Sequence, residues 1–213
     1  MLIPRIIHRM RLSDDALPCE SERYAQSWKR HHPGWEFCHW TLADLPPLAN
    51  HELFNACPNT GYRSDILRYE LLHRFGGVYV DLDFECLRPL DPLLDGMAGF
   101  AGTISPRHRD IGVQTVETAI LGSVPGSPFF RTLIDDLPSW TDWWGWHPSV
   151  AVRSGPQYFE KQLQRWRARR GSVPITLFRP DIFYPFLWDE PHRRAGPFPQ
   201  SYAVHHWWGT WRR

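Results

Sequence analysis

The stretch from residue 64 to residue 83 constrains the fold of this chain more than any other part. Its apolar side chains recur at helical spacing and predict a helix from Ser64 to Phe75, capped by Ser64 and ended by the pair Gly76-Gly77. A strand follows at once, from Val78 to Asp83, with alternate side chains on opposite faces. A helix that leads through two glycines into an apolar strand predicts layered packing of helices against a sheet.

The elements around this stretch extend the same alternation. We predict strands at Ile3–His8, Trp35–Trp40 and Gly96–Thr103, helices at 20–32, Pro128–Leu137 and Tyr158–Arg170, a loop at 138–148, and no long periodic element after Arg179. This order favours an α/β fold with a nucleotide-binding N-terminal half and an irregular C-terminal part. We expect one domain over residues 1–213, with the nucleotide half at about 1–105 and the second half at about 106–213.

Composition excludes several classes of protein. The 213 residues carry 24 Lys and Arg against 23 Asp and Glu, whereas a nucleic-acid-binding chain usually has a basic excess. Because 15% of the residues are aromatic, the chain is not expected to be disordered. The 12 Trp residues are unusual and suggest contact with carbohydrate. We therefore expect a folded protein without a nucleic-acid partner; its oligomeric state is left open.

Cysteine spacing and hydropathy bear on the compartment. Cys19, Cys38, Cys57 and Cys86 form no CxxC pair and no metal-binding spacing, so we expect reduced, buried thiols. The N-terminal apolar stretch is too short for a signal peptide, and no run approaches the roughly 20 apolar residues of a membrane span. We expect a cytoplasmic protein, and peripheral contact with the inner membrane surface is compatible with this.

Two carboxylates close the predicted strand after Val80. Asp81 and Asp83 stand at positions i and i+2, so both can approach one hard cation. Alone, such a pair is as compatible with two solvated acids, because charged side chains are mostly exposed. Directly after an apolar strand, however, two acids are costly unless a cation or hydrogen bonds compensate. Their position therefore indicates a ligand site at the end of the strand.

The residues around this pair resemble a known family. Ser64-Asp65-Ile66-Leu67-Arg68-Tyr69 followed by Gly76-Gly77-Val78-Tyr79-Val80-Asp81-Leu82-Asp83 is similar to the DxD-containing sugar transferases (glycosyltransferase family 32-like). That family is typified by yeast Och1-type α-mannosyltransferases and includes bacterial capsular and lipopolysaccharide glycosyltransferases. The opening Ile3–His8, the pair Gly155-Pro156 and the ending Tyr202–Trp211 resemble further landmarks of the family. The resemblance extends over nearly the whole chain.

The resemblance implies a GT-A fold and a metal-dependent, retaining transfer of a hexose from a UDP- or GDP-sugar to a glycan, lipid-linked or other hydroxyl acceptor. It implies that Asp83 binds Mn²⁺ or Mg²⁺ directly and that Asp81 binds the metal, its water or the ribose. Asp65 would accept hydrogen bonds from the donor sugar, and Arg68, one helical turn later, would hold a phosphate or sugar oxygen. Tyr79 shares the face of these carboxylates and would position the donor, or else pack in the core.

The C-terminal motif supplies the remaining implied ligands. His205 and His206 are candidate third metal ligands, since imidazole suits Mn²⁺, and the spacing to Trp211 favours His206. Trp211 would close over the diphosphate and donate its indole N–H. The implied donor-binding set is completed by Ile7 and His8 in the first strand and by Gly209 and Thr210 beside Trp211.

The acceptor side is less defined. The family frequently has Asn before its Ala-Ile stretch, near the reacting sugar, where this chain reads Glu117-Thr118-Ala119-Ile120. Transfer on one face of the sugar needs positioning and charge stabilisation more than a dedicated base, so no general base is assigned. The cluster Trp140, Trp143, Trp144 and Trp146 is expected in a loop, as an acceptor platform, a lipid contact or hydrophobic packing.

Two other classes are weighed against a transferase. A phosphohydrolase of the haloacid dehalogenase type also places DxD after an apolar strand, but near the start of its chain and with Thr or Val two residues after the second Asp, where this chain has Glu85. A non-catalytic carbohydrate-binding module would explain the Trp content. Such a module needs no acidic pair beside Asp65 and Arg68.

Overall fold

The computed structural model describes residues 2–57, 59–105, 115–144 and 149–209. Its strands are β1 (Ile6–Arg11), β2 (Glu36–Thr41), β3 (Gly77–Val80), β4 (Phe84–Cys86), β5 (Gly99–Ile104), β6 (Thr115–Ser123), β7 (Thr176–Phe178) and β8 (Ala203–His205). Its helices are α1 (Glu20–His31), α2 (His51–Ala56), α3 (Thr60–Phe75), α4 (Asp91–Leu94), α5 (Pro128–Trp144), α6 (Val150–Arg153), α7 (Pro156–Arg167) and α8 (Pro180–Phe183). The predicted α/β class is confirmed.

The central sheet brings the ends of two parallel strands to one edge. Its six strands run in the order β2-β1-β3-β6-β5-β7. β1 is parallel to β2 and β3, and β7 is parallel to β5, whereas β6 is antiparallel to both of its neighbours. A separate pair joins β4 to β8, with Phe84 opposite His205. The carboxyl ends of β1 and β3 therefore meet at the edge where ligands bind in open α/β sheets.

Two hydrophobic cores hold β3 in place. Tyr79 packs with α3, α5 and α7 on one face of the sheet. Val78 and Val80 pack on the other face with Trp28 of α1. All four side chains are fully buried, and burial of a large apolar side chain contributes about 1.5–3 kcal/mol. The strand that carries the acidic pair is therefore fixed on both faces.

Some element boundaries differ from the prediction. β1 covers Ile6–Arg11 rather than the predicted Ile3–His8, because its parallel ladder with β2 continues to the pair Arg11–Thr41. α3 begins one turn before the predicted start, because the side chain of Asn59 accepts from the N–H groups of Gly61 and Tyr62 and caps the helix. The predicted Ser64 cap is wrong.

The sheet and helix lengths also differ in two places. β3 ends at Val80, so the predicted strand Val78–Asp83 is a strand to Val80 followed by a turn at residues 81–83, and β4 begins after that turn. α5 continues through Pro138 to Trp144, where the sequence predicts a loop from residue 138. A proline lacks a backbone N–H and usually interrupts a helix. Here α5 continues past Pro138, because its apolar face still packs against the core beyond that residue.

The cysteines and hydropathy agree in part with the expectations. All four cysteines are free, as predicted, but only Cys57 and Cys86 are buried, whereas Cys19 is exposed. Within the described ranges, we find no helix with the length and apolar character needed to cross a bilayer.

Candidate functional site

A cleft of about 460 Å³ opens at the carboxyl edge of β1 and β3. Its walls come from the end of β1 and the loop after it, the first half of α3, the turn after β3, the middle of β6, the α6–α7 junction and the segment around β8. A cleft of this size is typical of small-molecule sites. The acidic pair lies in this cleft, as the sequence predicts.

The turn that carries the acidic pair is held from several sides. The N–H of Asp81 donates to Ala119 O (2.9 Å), and the Arg9 guanidinium donates to Leu82 O (2.7 Å). Asp83 accepts at its carbonyl from the N–H of His206 (3.0 Å) and at Oδ2 from the N–H of Trp208 (2.8 Å). These bonds place both carboxylates in the cleft although the strand has ended, so the turn, and not strand alternation, brings them together.

His205 completes a cluster with the two carboxylates. Within the described part of the chain, Asp81, Asp83 and His205 each offer one ligand atom, and these atoms lie within 4.8 Å of one another. His205 Nε2 is 3.0 Å from Asp83 Oδ1. His206 points away from them and contacts Glu85 at 3.0 Å. The expectation that favoured His206 is therefore corrected: β8 pairs with β4 so that residue 205 faces the cleft and its neighbour faces outward.

The proton affinities of this cluster follow from burial and mutual contact. Burial raises the pKa of Asp81 above its ordinary value, against the opposing charge of Arg68. Burial also acts on Asp83, but the facing His205 and the Trp208 N–H lower its pKa below the ordinary value. For His205, burial alone would lower the pKa, and the Asp83 carboxylate more than offsets this and raises it. Asp83 is therefore ionised at neutral pH.

The donor set of this cluster fits a divalent cation. Two carboxylates and one imidazole are ligands of Mn²⁺ and related ions, whereas Mg²⁺ prefers oxygen ligands alone. His205 is buried and its Nδ1 has no hydrogen-bond partner among the described residues, so the ring is held through Nε2 towards the carboxylates. The residues present thus fit Mn²⁺ better than Mg²⁺.

Asp65 and Arg68 form a buried pair on the α3 wall of the cleft. Asp65 accepts from the Ser154 hydroxyl (2.7 Å) and lies 3.5 Å from Arg68 Nη1. Arg68 also donates to Thr118 O (2.6 Å) and reaches Asp81 Oδ1 at 3.4 Å through Nη2. Burial raises the pKa of Asp65 to about 6, in spite of the Arg68 charge and the Ser154 bond. Arg68 thus links the two carboxylates, and its guanidinium is largely committed to protein groups.

Tyr79 packs in the core, one of the two roles that the sequence left open, and it also contacts the acidic pair. Its ring is buried in the core, and the Arg68 guanidinium lies 4.6 Å from the ring centroid. Its hydroxyl donates to Asp81 Oδ1. Tyr79 also lines the cleft, so it packs in the core and orients a carboxylate of the cluster.

Ile7 and His8 do not lie where the sequence predicts. Ile7 is fully buried in the core. The His8 ring is buried between the Gly76 carbonyl (2.9 Å from Nε2) and the Trp40 indole N–H (3.1 Å from Nδ1). Burial lowers the pKa of His8. The expectation that these residues line a nucleotide-base site is corrected, because β1 runs three residues further and presents Met10–Leu12 to the cleft instead.

The structure describes some of the tryptophans of the predicted loop cluster and of the closing motif. Trp140 belongs to the core: its indole N–H donates to Val152 O (3.0 Å) and its ring meets Tyr158 at 5.4 Å. Of the alternatives that the sequence left open for this cluster, hydrophobic packing is the one that Trp140 fits. The side chains of Trp143, Trp144 and Trp146 lie outside the described residues. At the closing motif, Gly209 lines the cleft, whereas Thr210 and Trp211 lie outside the described residues.

Several cleft residues were not singled out by sequence reasoning. Ser154 holds Asp65, and Trp188 and Leu17 line the cleft walls. The one available signal was the Gly155-Pro156 landmark: a Cβ at Gly155 would lie 3.1 Å from Asp65 Oδ2, so glycine there leaves room for the carboxylate. Glu117 was named as a departure from the family pattern, and it is a buried carboxylate on the cleft wall.

The sequence is similar to proteins of known activity. Residues 18–98 match the family model described as a glycosyltransferase sugar-binding region containing the DXD motif. The chain is 30% identical over 77% of its length to inositol phosphoceramide mannosyltransferase 1 of Schizosaccharomyces pombe, covering 52% of that protein. It is 32% identical over 82% of its length to a mannosyl phosphorylinositol ceramide synthase of Saccharomyces cerevisiae, covering 46%. The chain spans about half the length of these curated relatives.

The fold is similar to that of solved glycosyltransferases. The PaToxG glycosyltransferase superposes with a TM-score of 0.59 at 15% identity, over 77% of this chain and 69% of that one. At this identity the likeness establishes the fold alone, and it confirms the expected GT-A fold.

Proposed function

We propose that the protein transfers a hexose from a UDP- or GDP-sugar to a hydroxyl acceptor, with a divalent metal and with retention of configuration. The premise is the match of residues 18–98 to the family model of glycosyltransferase sugar-binding regions containing the DXD motif. The observation that carries the proposal is the convergence of Asp81, Asp83 and His205 in the cleft beside Asp65 and Arg68. A metal-binding cluster next to a buried carboxylate is the arrangement that a charged leaving group and a polyhydroxylated sugar require.

Asp81, Asp83 and His205 would hold the cation, and their chemistry favours Mn²⁺. When bound, this ion supplies Lewis-acid stabilisation of the negative charge on a departing nucleotide diphosphate. Tyr79 keeps Asp81 in place through its hydroxyl, and the backbone of Trp208 does the same for Asp83. The protein thus preorganises the ligands before the substrate arrives.

Asp65 and Arg68 would orient the donor. Asp65 is buried, and it offers carboxylate lone pairs to sugar hydroxyls beyond those used by Ser154. Arg68 contributes positive charge where water is largely excluded, and such charge acts over a longer range than in solvent. Its bonds to Ser64 O and Thr118 O keep it from moving, so it stabilises developing charge without reorganisation.

Retention needs attack on the face from which the nucleotide leaves. In our proposal the departing phosphate accepts the proton of the acceptor hydroxyl, while the protein residues fix both partners in position. No described side chain is assigned as the base. The nucleotide base would lie against Met10–Leu12, the part of β1 that reaches the cleft.

The acceptor in this proposal is a glycan or a lipid-linked polar head group. One curated relative is named an inositol phosphoceramide mannosyltransferase and the other a mannosyl phosphorylinositol ceramide synthase, and both names contain an inositol-bearing ceramide. The proposal includes no nucleic-acid partner. Residues 1–213 are proposed to act as one catalytic unit, with the nucleotide half at about 1–105.

The test is calorimetric titration of UDP and of GDP, with and without Mn²⁺, followed by measurement of donor hydrolysis. We expect one nucleotide to bind only with the metal present, and Asp83→Ala to reduce metal-dependent hydrolysis at least about 100-fold. Full activity of Asp83→Ala with metal present would falsify the assignment. Sugar binding without any nucleotide binding would instead support a carbohydrate-binding module.

The chain offers a matched control next to the cluster. His206 has the same side chain as His205 but contacts Glu85 outside the cluster. We expect His205→Ala to weaken Mn²⁺ binding at least tenfold and His206→Ala to leave it within about twofold. Equal losses in the two variants would contradict the assignment of His205.

A further inference from the structure

Trp188 borders the cleft with a large exposed ring. Its relative exposure is 37%, and the other exposed large hydrophobics of the described chain, Leu2, Leu42 and Val173, are absent from the cleft lining. Single exposed apolar residues are common on protein surfaces, so exposure alone assigns nothing. The position of Trp188 matters because Trp207 contacts both the Trp188 ring and His205 of the metal cluster, which comprises Asp81, Asp83 and His205.

Trp207 supports Trp188 at the expense of backbone strain. The two ring centroids lie 5.3 Å apart at an interplanar angle of 74°, an edge-to-face contact. Trp207 has φ of +56°, in the left-handed region that costs a bulky residue about 1–2 kcal/mol. Its indole N–H donates to Phe186 O (2.9 Å), and its ring centroid is 4.2 Å from that of His205. The strained residue therefore holds an aromatic surface between the metal cluster and the cleft rim.

The two consecutive tryptophans of this segment face different sides. Trp208 stacks on Tyr24 of α1 at 5.6 Å, beside the His206–Tyr24 stack. Trp207 instead contacts Tyr184 at 5.7 Å and Trp188. The nucleotide base is proposed to lie against Met10–Leu12, at the end of β1 and just after it. Trp188 enters the cleft lining from the segment between α8 and β8, away in sequence from Met10–Leu12. We therefore assign the wall formed by Trp188 and Trp207 to the second substrate.

We propose that Trp188, supported by Trp207, is the stacking platform for the acceptor: the apolar face of a six-membered polyol ring, a pyranose or a cyclitol, lies on the Trp188 indole. Such a ring presents C–H groups on one face and hydroxyls at its edge. Stacking on the indole buries the C–H face and leaves an edge hydroxyl directed towards the metal cluster. This inference rests on the proposed transferase function and adds the acceptor subsite to it.

The test compares the binding of two probes, methyl α-D-mannopyranoside and myo-inositol, by calorimetric titration of protein saturated with Mn²⁺ and the nucleotide that binds. We expect at least one probe to bind the wild type, and Trp188→Ala to weaken that binding roughly tenfold. Trp188→Phe, which keeps a stacking ring, should recover most of the affinity. We expect nucleotide affinity to be unchanged in both variants, since the proposal assigns Trp188 to the acceptor and not to the metal or the donor.

Leu42→Ala is the matched control, because Leu42 is also an exposed apolar residue but lies outside the cleft lining. The platform is overturned if neither probe binds the wild type, or if Trp188→Ala leaves probe affinity unchanged. It is also overturned if Trp188→Ala weakens nucleotide binding as much as probe binding. The same holds if the variant lowers binding to phosphatidylcholine vesicles and leaves probe binding unchanged. If the proposed function itself is wrong, no nucleotide binds to the wild type. The probes are then titrated against the protein without nucleotide.

Discussion

Asp65 is the residue whose protonation is most tightly coupled to its surroundings. It lies on α3 in a buried position, bonded to Ser154 and within 3.5 Å of Arg68. Because burial raises its pKa from 3.8 to about 6, the folded protein binds a proton there that the unfolded chain has already lost. In the proposed function, the ionised form accepts hydrogen bonds from sugar hydroxyls at neutral pH. The buried carboxylate therefore lowers the stability of the folded protein at neutral pH.

We predict that Asp65→Asn is more stable than the wild type at neutral pH and inactive. The pKa of Asp65 is higher in the folded protein than in the unfolded chain. Its contribution to the free energy of unfolding is therefore favourable below about pH 4 and is lost as pH rises towards about 6. The difference in the free energy of unfolding between the variant and the wild type should increase over that pH range. Above it, the difference should stay constant at roughly 3 kcal/mol or less. Urea unfolding at pH 4.5 and pH 7.5 measures it. A variant less stable than the wild type by the same amount at both values contradicts the prediction.

The glycine pair between α3 and β3 is the element boundary that positions the acidic turn. Gly76 and Gly77 have φ of +66° and +89°, a region that other residues rarely adopt. A Cβ at Gly77 would lie 2.7 Å from the carbonyl oxygen of Ile6 and 3.2 Å from His8 Nε2. The pair therefore lets the chain reverse directly beside β1, and so places β3 parallel to it.

We predict that Gly77→Ala is strongly destabilising. The left-handed backbone costs an alanine about 1–2 kcal/mol, and the clash with backbone atoms of β1 adds about 1–3 kcal/mol. Gly34→Ala is the matched control, since Gly34 has φ of +84° and nothing within 4 Å of an added Cβ. Thermal unfolding should therefore show a lower Tm for Gly77→Ala than for Gly34→Ala. Equal Tm values would show that the close approach to Ile6 does not matter.

Features that depend on neighbouring residues could be predicted from the sequence. Features that depend on contacts between distant segments of the chain could not. The helix, glycine pair and strand from residue 64 to 83 are predictable because periodicity and glycine act over neighbouring residues. The choice of His205 over His206 was not predictable, because it depends on the pairing of β8 with β4 across the chain. The burial of His8 depends likewise on Trp40 of a neighbouring strand. Trp188 carried no motif and became visible only next to Trp207.

At the scale of the whole molecule, the cluster joins distant parts of the chain. Asp83 follows the central strand β3, whereas His205 ends β8 in a separate two-stranded pair. The Trp208 N–H bond to Asp83 Oδ2 spans 125 positions in the sequence. A cation bound here would be held by both segments, and it would oppose their separation on unfolding.

We predict that Mn²⁺ with the cognate nucleotide raises the Tm of the whole chain. At a ligand concentration of 100 times Kd the stabilisation is about 2.7 kcal/mol, which corresponds to about 5–10 °C for a chain of this size. Asp83→Asn should abolish the shift, and His206→Ala should keep it. Differential scanning calorimetry of the three proteins measures it. A shift of the same size in Asp83→Asn would mean that the ions bind elsewhere.

The pairing of β4 with β8 has a consequence for how the protein is made. Translation delivers the acidic turn early and its imidazole partner more than a hundred residues later. A nascent chain on the ribosome therefore holds Asp81 and Asp83 without His205 until residue 205 has left the exit tunnel. If the cluster binds a cation as proposed, the full set of three side chains is available to it only after β8 has paired with β4.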